Sequence, residues 1–293
     1  MPDKQSFQGY FQNITSHIPQ PGPNSSGFLR YQLRELVAAI RFLTILPIPG
    51  AAQLFDTYEE EDVSNFIIGS AYFPLVGLLL ATLLWLFLLL TSSVFPSIVV
   101  AALLVVVQIV LTGGLHLDGL MDSCDGLFGG STPEQKLEIM RDSRVGSFGV
   151  LSAICVLLVR FAAFASMFSV IASQHIHLLT IALFMVLPVA RWGMILAVGV
   201  FPGARLSGLG SAFRRTVTRP RLLAAAITTL IIVLFFGHIA GLLVLLVGTL
   251  VALAVGGLIT RLVGGLTGDS YGAIEETTEI VLLLLIILLH FWF

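Results

Sequence analysis

The sequence predicts an all-α fold, a polytopic transmembrane helical bundle of about seven spans with an N-terminal interfacial helix. Two observations of composition carry the prediction: 57% of the 293 residues are hydrophobic and only 11% are charged, with a mean hydropathy of +0.98. A soluble domain carries roughly a quarter charged residues. A third is the arrangement of the apolar residues in long runs separated by short polar segments, which sets the number of spans.

Residues 1–29 are rich in Pro, Gly, Ser, Gln and Asn and lack the apolar stretch of a signal peptide, so a loose polar tail is expected there. Residues 30–293 are expected to form a single integral membrane domain. In RYQLRELVAAIRFLTILPIPG, Leu33, Leu36, Val37, Ile40 and Leu43 recur at helical spacing, with Arg34 and Arg41 on another face. That pattern predicts an interfacial helix ended by Pro47 and Pro49. The expected spans are Phe66 to Leu90, Phe95 to Leu111, Phe148 to Ile171, Leu178 to Val200, Leu222 to Phe236, Ile239 to Ile259, and Ile280 to Phe293. The last is short: fourteen residues cover about 21 Å of a hydrocarbon core about 30 Å thick. Either that helix begins earlier, drawing Glu275 to Glu279 toward the membrane, or it stops short of the far face.

Charge alternates between the two ends of the spans. TSSV, ASQHIH and GHIA carry no formal charge, whereas segments 112–147, 201–221 and 260–279 hold most of it. Arg205, Arg214, Arg215, Arg219 and Arg221 mark that side as cytoplasmic by the positive-inside rule. The N-terminus is then cytoplasmic and the C-terminus lies on the far side of a cytoplasmic (inner) membrane. A formal net charge of -2 argues against a nucleic-acid partner. Cys124 and Cys155 are too few for a disulfide framework or a thiolate metal site, and Cys124 reads as a small packing residue.

After about fifty residues without a charge, GGLHLDGLMDSCDGLFGG brings three aspartates. On a helix the spacing i, i+4, i+7 sets Asp118, Asp122 and Asp125 within about 60° of one another, a single acidic stripe. Carboxylates so close repel, and a cation is needed among them. An oxygen-only donor set suits Mg²⁺, which takes a few carboxylates and completes its shell with water and substrate phosphates. His116 lies about 160° from the stripe and is a poor ligand for the same ion, unless Gly113 and Gly114 open the helix as an irregular turn. A solvated helix face is the blander alternative, but Leu115, Leu117, Leu120, Met121, Leu127 and Phe128 interleave the acids.

Two further clusters share that side. KLEIMRDSRVGSFG places Arg141 and Arg144 beside Asp142 and opens a span with Gly146 and Gly149, so guanidiniums and backbone N–H groups converge as a phosphate seat. In GGLTGDSYGAIEETTEI, Asp269, Glu276 and Glu279 fall within about 80° of one another, with Glu275 pointing elsewhere. That face is expected to bind a second cation or a sugar hydroxyl, although acids at a helix start also suit the helix dipole. Arg160 and Arg191 stand deep inside apolar spans, where a guanidinium must be paired or face a cavity. A structural carboxylate partner and an anion contact are both open, and the second is favoured. Carboxylates for Mg²⁺, arginines for charged oxygens and an attacking hydroxyl together point to phosphoryl or nucleotidyl-phosphate transfer. GxxxxGK[ST] is absent, which excludes a P-loop protein.

In order, FLTILPIP near residue 42, YFPLVGLLL at 72, TGGLHLDGLMDSCDGLFGG at 112, LEIMRDSRVGSFG at 137, the region from Arg191 through GARLSGLGSAF, and GGLTGDSYGAIEETTE at 264 resemble the cobalamin synthase family, the adenosylcobinamide-GDP ribazoletransferases. The resemblance covers nearly everything after residue 40. It implies a Mg²⁺-dependent catalytic domain in a cytoplasmic membrane that joins adenosylcobinamide-GDP to α-ribazole or its 5'-phosphate, releasing GMP. It also implies roles. Asp118, Asp122 and Asp125 would hold the metal; Arg141, Arg144, Arg191 and Arg205 would neutralise diphosphate oxygens. Asp142, Asp269, Glu276 and Glu279 would contact substrate, and a carboxylate or His116 would act as base. The family's Thr-Arg-hydrophobic-Pro stretch has Ile45 in place of the arginine here, which moves that contact to Arg41 or removes it. Whether copies associate as a homo-oligomer is left open. Asp122 to Gly126 also reads DxxDG, the start of the CDP-alcohol phosphotransferase signature, but its Ala-Arg is replaced by Leu127-Phe128. A cation transporter is a further alternative, disfavoured because the acids crowd one side.

Overall fold

The structure, a computed structural model, describes residues 25–48, 68–169, 175–205 and 209–290. Among the described residues it is built of helices: α1 Ser25–Leu43, α2 Phe73–Thr91, α3 Ser97–Thr112, α4 Leu115–Gly129, α5 Pro133–Ile139, α6 Ser147–Ser169, α7 His175–Val200, α8 Leu209–Thr216, α9 Arg219–Val263 and α10 Gly268–Leu288. No strand accompanies them, only an isolated bridge between Gly203 and Leu266. Their starts follow ordinary rules. Pro74, Pro133 and Pro220 sit in first turns where a missing N–H costs nothing, and Thr267 caps α10 by exchanging hydrogen bonds with Ser270.

The expected tail is shorter than 1–29. Residues 25–29 already belong to α1, and residues 1–24 lie outside the described residues. The buried face of α1 also differs from the expected apolar one: Arg34, Glu35, Ala38, Ala39 and Leu43 face inward, while Phe28, Leu29 and Leu33 are exposed. The physical reason is that Glu35 meets Arg221 at the start of α9 and accepts a hydrogen bond from Tyr31 at 2.8 Å. A helix that seats its charge against the protein and turns its oil outward suits an interface with acyl chains.

Four helical stretches are long and apolar enough to cross a membrane, Ser70–Thr91, Ser147–Phe168, Leu178–Val200 and Arg219–Val263, and a fifth arises if bent α3 and α4 count as one. The count is lower than the expected seven for three reasons. The α3 helix has 16 residues, α10 carries Asp269, Glu275, Glu276 and Glu279, and the two expected spans around residue 238 fall in one run of 45 residues. That run is not straight. His238 has φ 48° and ψ -135°, outside the helical region, and the backbone of Gly241 packs directly on that of Val233. Residues eight apart on a straight helix are about 12 Å apart along its axis, so the chain doubles back at His238.

Helix α7 is the hub. Ninety-four per cent of its apolar window is buried, against 28% for α6 and for α9. The first arm of α9 runs antiparallel to it, with Leu222 beside Gly199 and Phe236 stacked on Phe184 at 4.4 Å. The second runs parallel, with Gly248 on Val189 and Gly256 on Phe201. The outward face of α9 displays Leu223, Ile227, Ile231, Leu234, Phe235, Leu242, Leu246 and Leu250, an apolar surface suited to lipid.

The charged segments gather at one end. Ala204 donates to the Leu266 carbonyl at 2.9 Å and Leu266 to that of Pro202 at 2.8 Å, which pins 201–205 against the start of α10. Arg205 donates to the Leu137 carbonyl at 2.8 Å, joining α5 to the same end.

Candidate active site

Gly113 and Gly114, with φ 63° and 71°, hold a left-handed conformation that side chains disfavour, and they turn α4 by 89° from α3. The acidic helix thereby leaves the line of the span and lies across the charged end of the bundle. It crosses α10 backbone to backbone: a Cβ on Gly119 would sit 2.8 Å from the Asp269 carbonyl, and one on Gly272 2.6 Å from that of His116. This crossing brings Asp269 to the stripe.

The three aspartates of the stripe part company in role. Asp118 is exposed and Asp122 half-buried, but Asp125 is only 6% exposed. Its carboxylate accepts the N–H groups of Gly146 at 2.7 Å and Gly149 at 2.8 Å. A Cβ on either glycine would lie 2.3 Å from a carboxylate oxygen, so only glycine admits this contact. The donors expected to seat a phosphate at the start of α6 are thus taken up by Asp125, which caps that helix.

Asp122 lies outside the membrane-spanning segments. Burial, then the carboxylates of Asp118, Asp269 and Asp125, push its pKa up to about 6. Among the described residues neither Asp118 nor Asp122 pairs with a cationic side chain, and Arg205 approaches Asp269 only to 3.9 Å. Charge of one sign is therefore left uncompensated here. Asp118 and Asp269 also line a cavity of ≈ 210 Å³ that is walled by Phe42, Phe213 and Tyr271 and bordered by Arg205. His116, only 3% exposed, reaches the same cavity. Arg141 lies close enough to Arg205 for the two guanidiniums to repel, which makes an anion between them favourable. Arg144 is turned instead to Asp142, at 2.6 Å on the exposed surface, and holds that carboxyl down at about 2.

A second acidic cluster is different in kind. Glu275, Glu276 and Glu279 of α10 are each 5% exposed or less and bring oxygens within 4.8 Å of one another. Cations already occupy the space between them. Arg160 of α6 contacts Glu276 at 2.5 Å and Glu279 at 2.9 Å, and Arg191 of α7 contacts Glu275 at 2.5 Å and also Glu279. Gln108 of α3 donates to Glu279 at 2.6 Å, and His116 Nδ1 stands 3.4 Å from Glu275. Arg191, Glu276 and Glu279, expected at substrate, are thus held within this buried cluster: Arg191 by Glu275 and Glu279, Glu276 by Arg160. Glu275, expected to point elsewhere, joins them because it precedes Glu279 by one helical turn. The triad has the spacing of a metal site, but a guanidinium contacts each of its three carboxylates, so counter-charge is already in place there. The open cluster offers the donor chemistry Mg²⁺ takes: its donors are carboxylate oxygens, and the adjoining cavity leaves room for water and phosphate oxygens.

Comparison with known proteins bears on the same residues. The chain matches the family described as Cobalamin-5-phosphate synthase over residues 35–287. It belongs to that family. An adenosylcobinamide-GDP ribazoletransferase of Desulfitobacterium hafniense (strain Y51) is 41% identical over 86% of this chain and 96% of its own. Proteins of the same name from Roseiflexus sp. (strain RS-1) and Desulforamulus reducens are 37% and 35% identical, over 84% and 87% of this chain and 86% and 96% of theirs. No solved structure matches. Family membership disfavours the CDP-alcohol phosphotransferase and cation-transporter alternatives.

Sequence reasoning missed the aromatic wall, Gln108 and the place of Glu275. The glycines at 119 and 272, one beside an aspartate and one three residues after another, were the available sign of a close crossing.

Removing one partner of a buried ion pair leaves the other charge stranded, at a cost of about 3–5 kcal/mol. Arg191→Leu and Arg160→Leu should therefore lower the thermal midpoint of detergent-solubilised protein sharply, whereas Arg144→Ala, at an exposed pair, should leave it nearly unchanged. Equal effects at both places would contradict the division between the clusters.

Proposed function

We propose that the open aspartate cluster and its cavity carry the transfer of adenosylcobinamide phosphate from adenosylcobinamide-GDP to α-ribazole or α-ribazole 5'-phosphate, with release of GMP. As a member of its family the chain is an enzyme of cobalamin biosynthesis, an adenosylcobinamide-GDP ribazoletransferase. The observation that supports the site is the contrast between the two acidic clusters: one is neutralised by buried arginines, and the other stands at a cavity with its charge uncompensated.

Asp118 and Asp122 would hold Mg²⁺, which supplies neutralisation of diphosphate oxygens as charge moves to the departing phosphate. Arg205 and Arg141 receive the phosphate oxygens. Asp269, on the cavity wall, accepts a hydrogen bond from the attacking ribose hydroxyl and takes its proton. His116, backed by Glu275, orients that hydroxyl through Nε2, which is buried without a partner of its own. Asp125 acts indirectly by docking the start of α6.

The charged end is assigned to the cytoplasm of a bacterial inner membrane, because Arg205, Arg214, Arg215, Arg219 and Arg221 concentrate there. His238 then faces the far side. In protein whose Cys124 and Cys155 are replaced by serine, His238→Cys should react with an impermeant maleimide added outside intact cells; reaction only after lysis would reverse the assignment.

Purified protein with Mg²⁺ should release GMP from adenosylcobinamide-GDP only when ribazole or its phosphate is present. Asp122→Asn should lower that rate by about a hundredfold or more, with the thermal midpoint retained. Full activity in the variant would remove the assignment. The pH response follows from the raised pKa of Asp122. Below about 6 the carboxyl is protonated and neutral, so at limiting Mg²⁺ activity should fall as pH drops through that value and recover when Mg²⁺ is raised. A loss that excess Mg²⁺ does not relieve would point away from Asp122 as a ligand.

A further inference from the structure

A second cavity, of ≈ 660 Å³, opens on the other side of the first turn of α4, between the α3–α4 bend and the end of α1. Arg41, Ile45, Gly114, Leu117 and Met121 line it, and Asp118 belongs to both cavities, as do Phe42 and Leu115. The turn of α4 is therefore a partition with one carboxylate accessible from either side. In-line phosphoryl transfer needs the attacking and leaving oxygens on opposite faces of the phosphorus. Two cavities facing each other across Asp118 provide that arrangement.

Resting on the functional reading above, we propose that the smaller cavity is the acceptor subsite for the benzimidazole nucleoside and the wider groove is the donor subsite, from which GMP departs. Size and chemistry make the assignment. The smaller cavity has the room of one nucleoside rather than a corrinoid. Its walls carry aromatic rings, Phe213 and Tyr271 with centroids 5.4 Å apart and Phe42 at 5.6 Å from Phe213, against which a planar heterocycle can stack. Ser211 and Asp269 on the same wall can meet ribose hydroxyls. The groove is wider and more open; it carries the Arg41 guanidinium, the hydroxyls of Thr44 and Thr112 and the Asp118 carboxylate beside apolar Ile45, Leu117 and Met121, a mixed surface suited to a bulky, partly apolar donor. In the reaction the acceptor oxygen enters from the smaller cavity and bonds to the cobinamide-side phosphorus. The bridging P–O bond breaks, its electron pair leaves with GMP into the groove, and the hydroxyl proton passes to Asp269.

The test measures equilibrium binding of each ligand separately to purified protein with Mg²⁺: α-ribazole by its fluorescence, adenosylcobinamide-GDP by its absorbance, and GMP by competition with the latter. Ile45 is 60% exposed and can carry an indole without disturbing the core. Ile45→Trp should weaken adenosylcobinamide-GDP and GMP by about tenfold or more and leave α-ribazole unchanged; Ser211→Trp should do the reverse. Should a tryptophan variant lose both ligands together with its thermal midpoint, Ile45→Phe or Ser211→Val is read in its place. The crossed pattern, loss of both ligands by a stably folded variant, or no change in either overturns the assignment. Wild-type protein that binds both ligands yet releases no GMP from the mixture counts against the proposed function and leaves the subsites standing. Wild-type protein that binds neither overturns both.

Discussion

The arrangement depends on one buried set of contacts, in which Arg160 and Arg191 meet Glu275, Glu276 and Glu279. In an apolar setting an ionised group without a partner is severely unfavourable, so five groups carrying formal charge can be accommodated only together. They come from α6, α7 and α10, and Gln108 and His116 add α3 and α4. Five helices are thereby held in one register by groups that cannot separate without stranding charge in oil. The same register presses α4 onto α10 at Gly119 and Gly272, and so decides that Asp118 and Asp269 face one cavity.

Two acidic clusters on neighbouring turns thus do different work, and the difference is electrostatic rather than one of residue type. The glutamates lie about two to three turns into α10, where they are buried and, among the described residues, guanidiniums supply the counter-charge. Asp269 lies in its first turn beside Asp118 and Asp122, where burial and then the neighbouring carboxylates raise the Asp122 carboxyl. Asp125, a turn beyond Asp122, shows how finely this is divided: two backbone N–H groups satisfy it, and it becomes part of the scaffold. A carboxylate already accepting two short hydrogen bonds gains little from a further cation.

Much of this was legible in the sequence. Hydropathy predicted a helical membrane protein, charge alternation predicted one charged end, and the spacing of Asp118, Asp122 and Asp125 predicted a stripe that the helix delivers. The GHIA stretch predicted a reversal near His238, and the backbone turns there although the helix is otherwise unbroken around it. What the sequence hid was long-range pairing. Gly146 and Gly149 lie 21 and 24 positions from Asp125, and Arg191 lies 88 from Glu279, separations that helical periodicity does not address. Glu275 was misjudged because its angle was taken from Asp269 rather than from Glu279, four residues on, with which it shares Arg191. The inner face of α1 was misjudged because Arg221, which draws Glu35 inward, is 186 residues away.

The same pairing explains why acids at this depth do not form a path for ions. A conducting route needs polar groups whose partners can be exchanged along the bundle axis, with binding weak enough to release what enters. Here the deep acids are engaged by guanidiniums, which cannot deprotonate and so cannot yield their place. Past them the hub helix α7 is apolar, with Phe184, Met185, Leu187 and Val189 buried. The polar region therefore ends at the ion cluster and opens only at the mouth. A closed floor of this kind leaves Asp118, Asp122 and Asp269 open toward the mouth alone, which is the condition for a surface-bound transfer between two large substrates rather than for passage through the membrane.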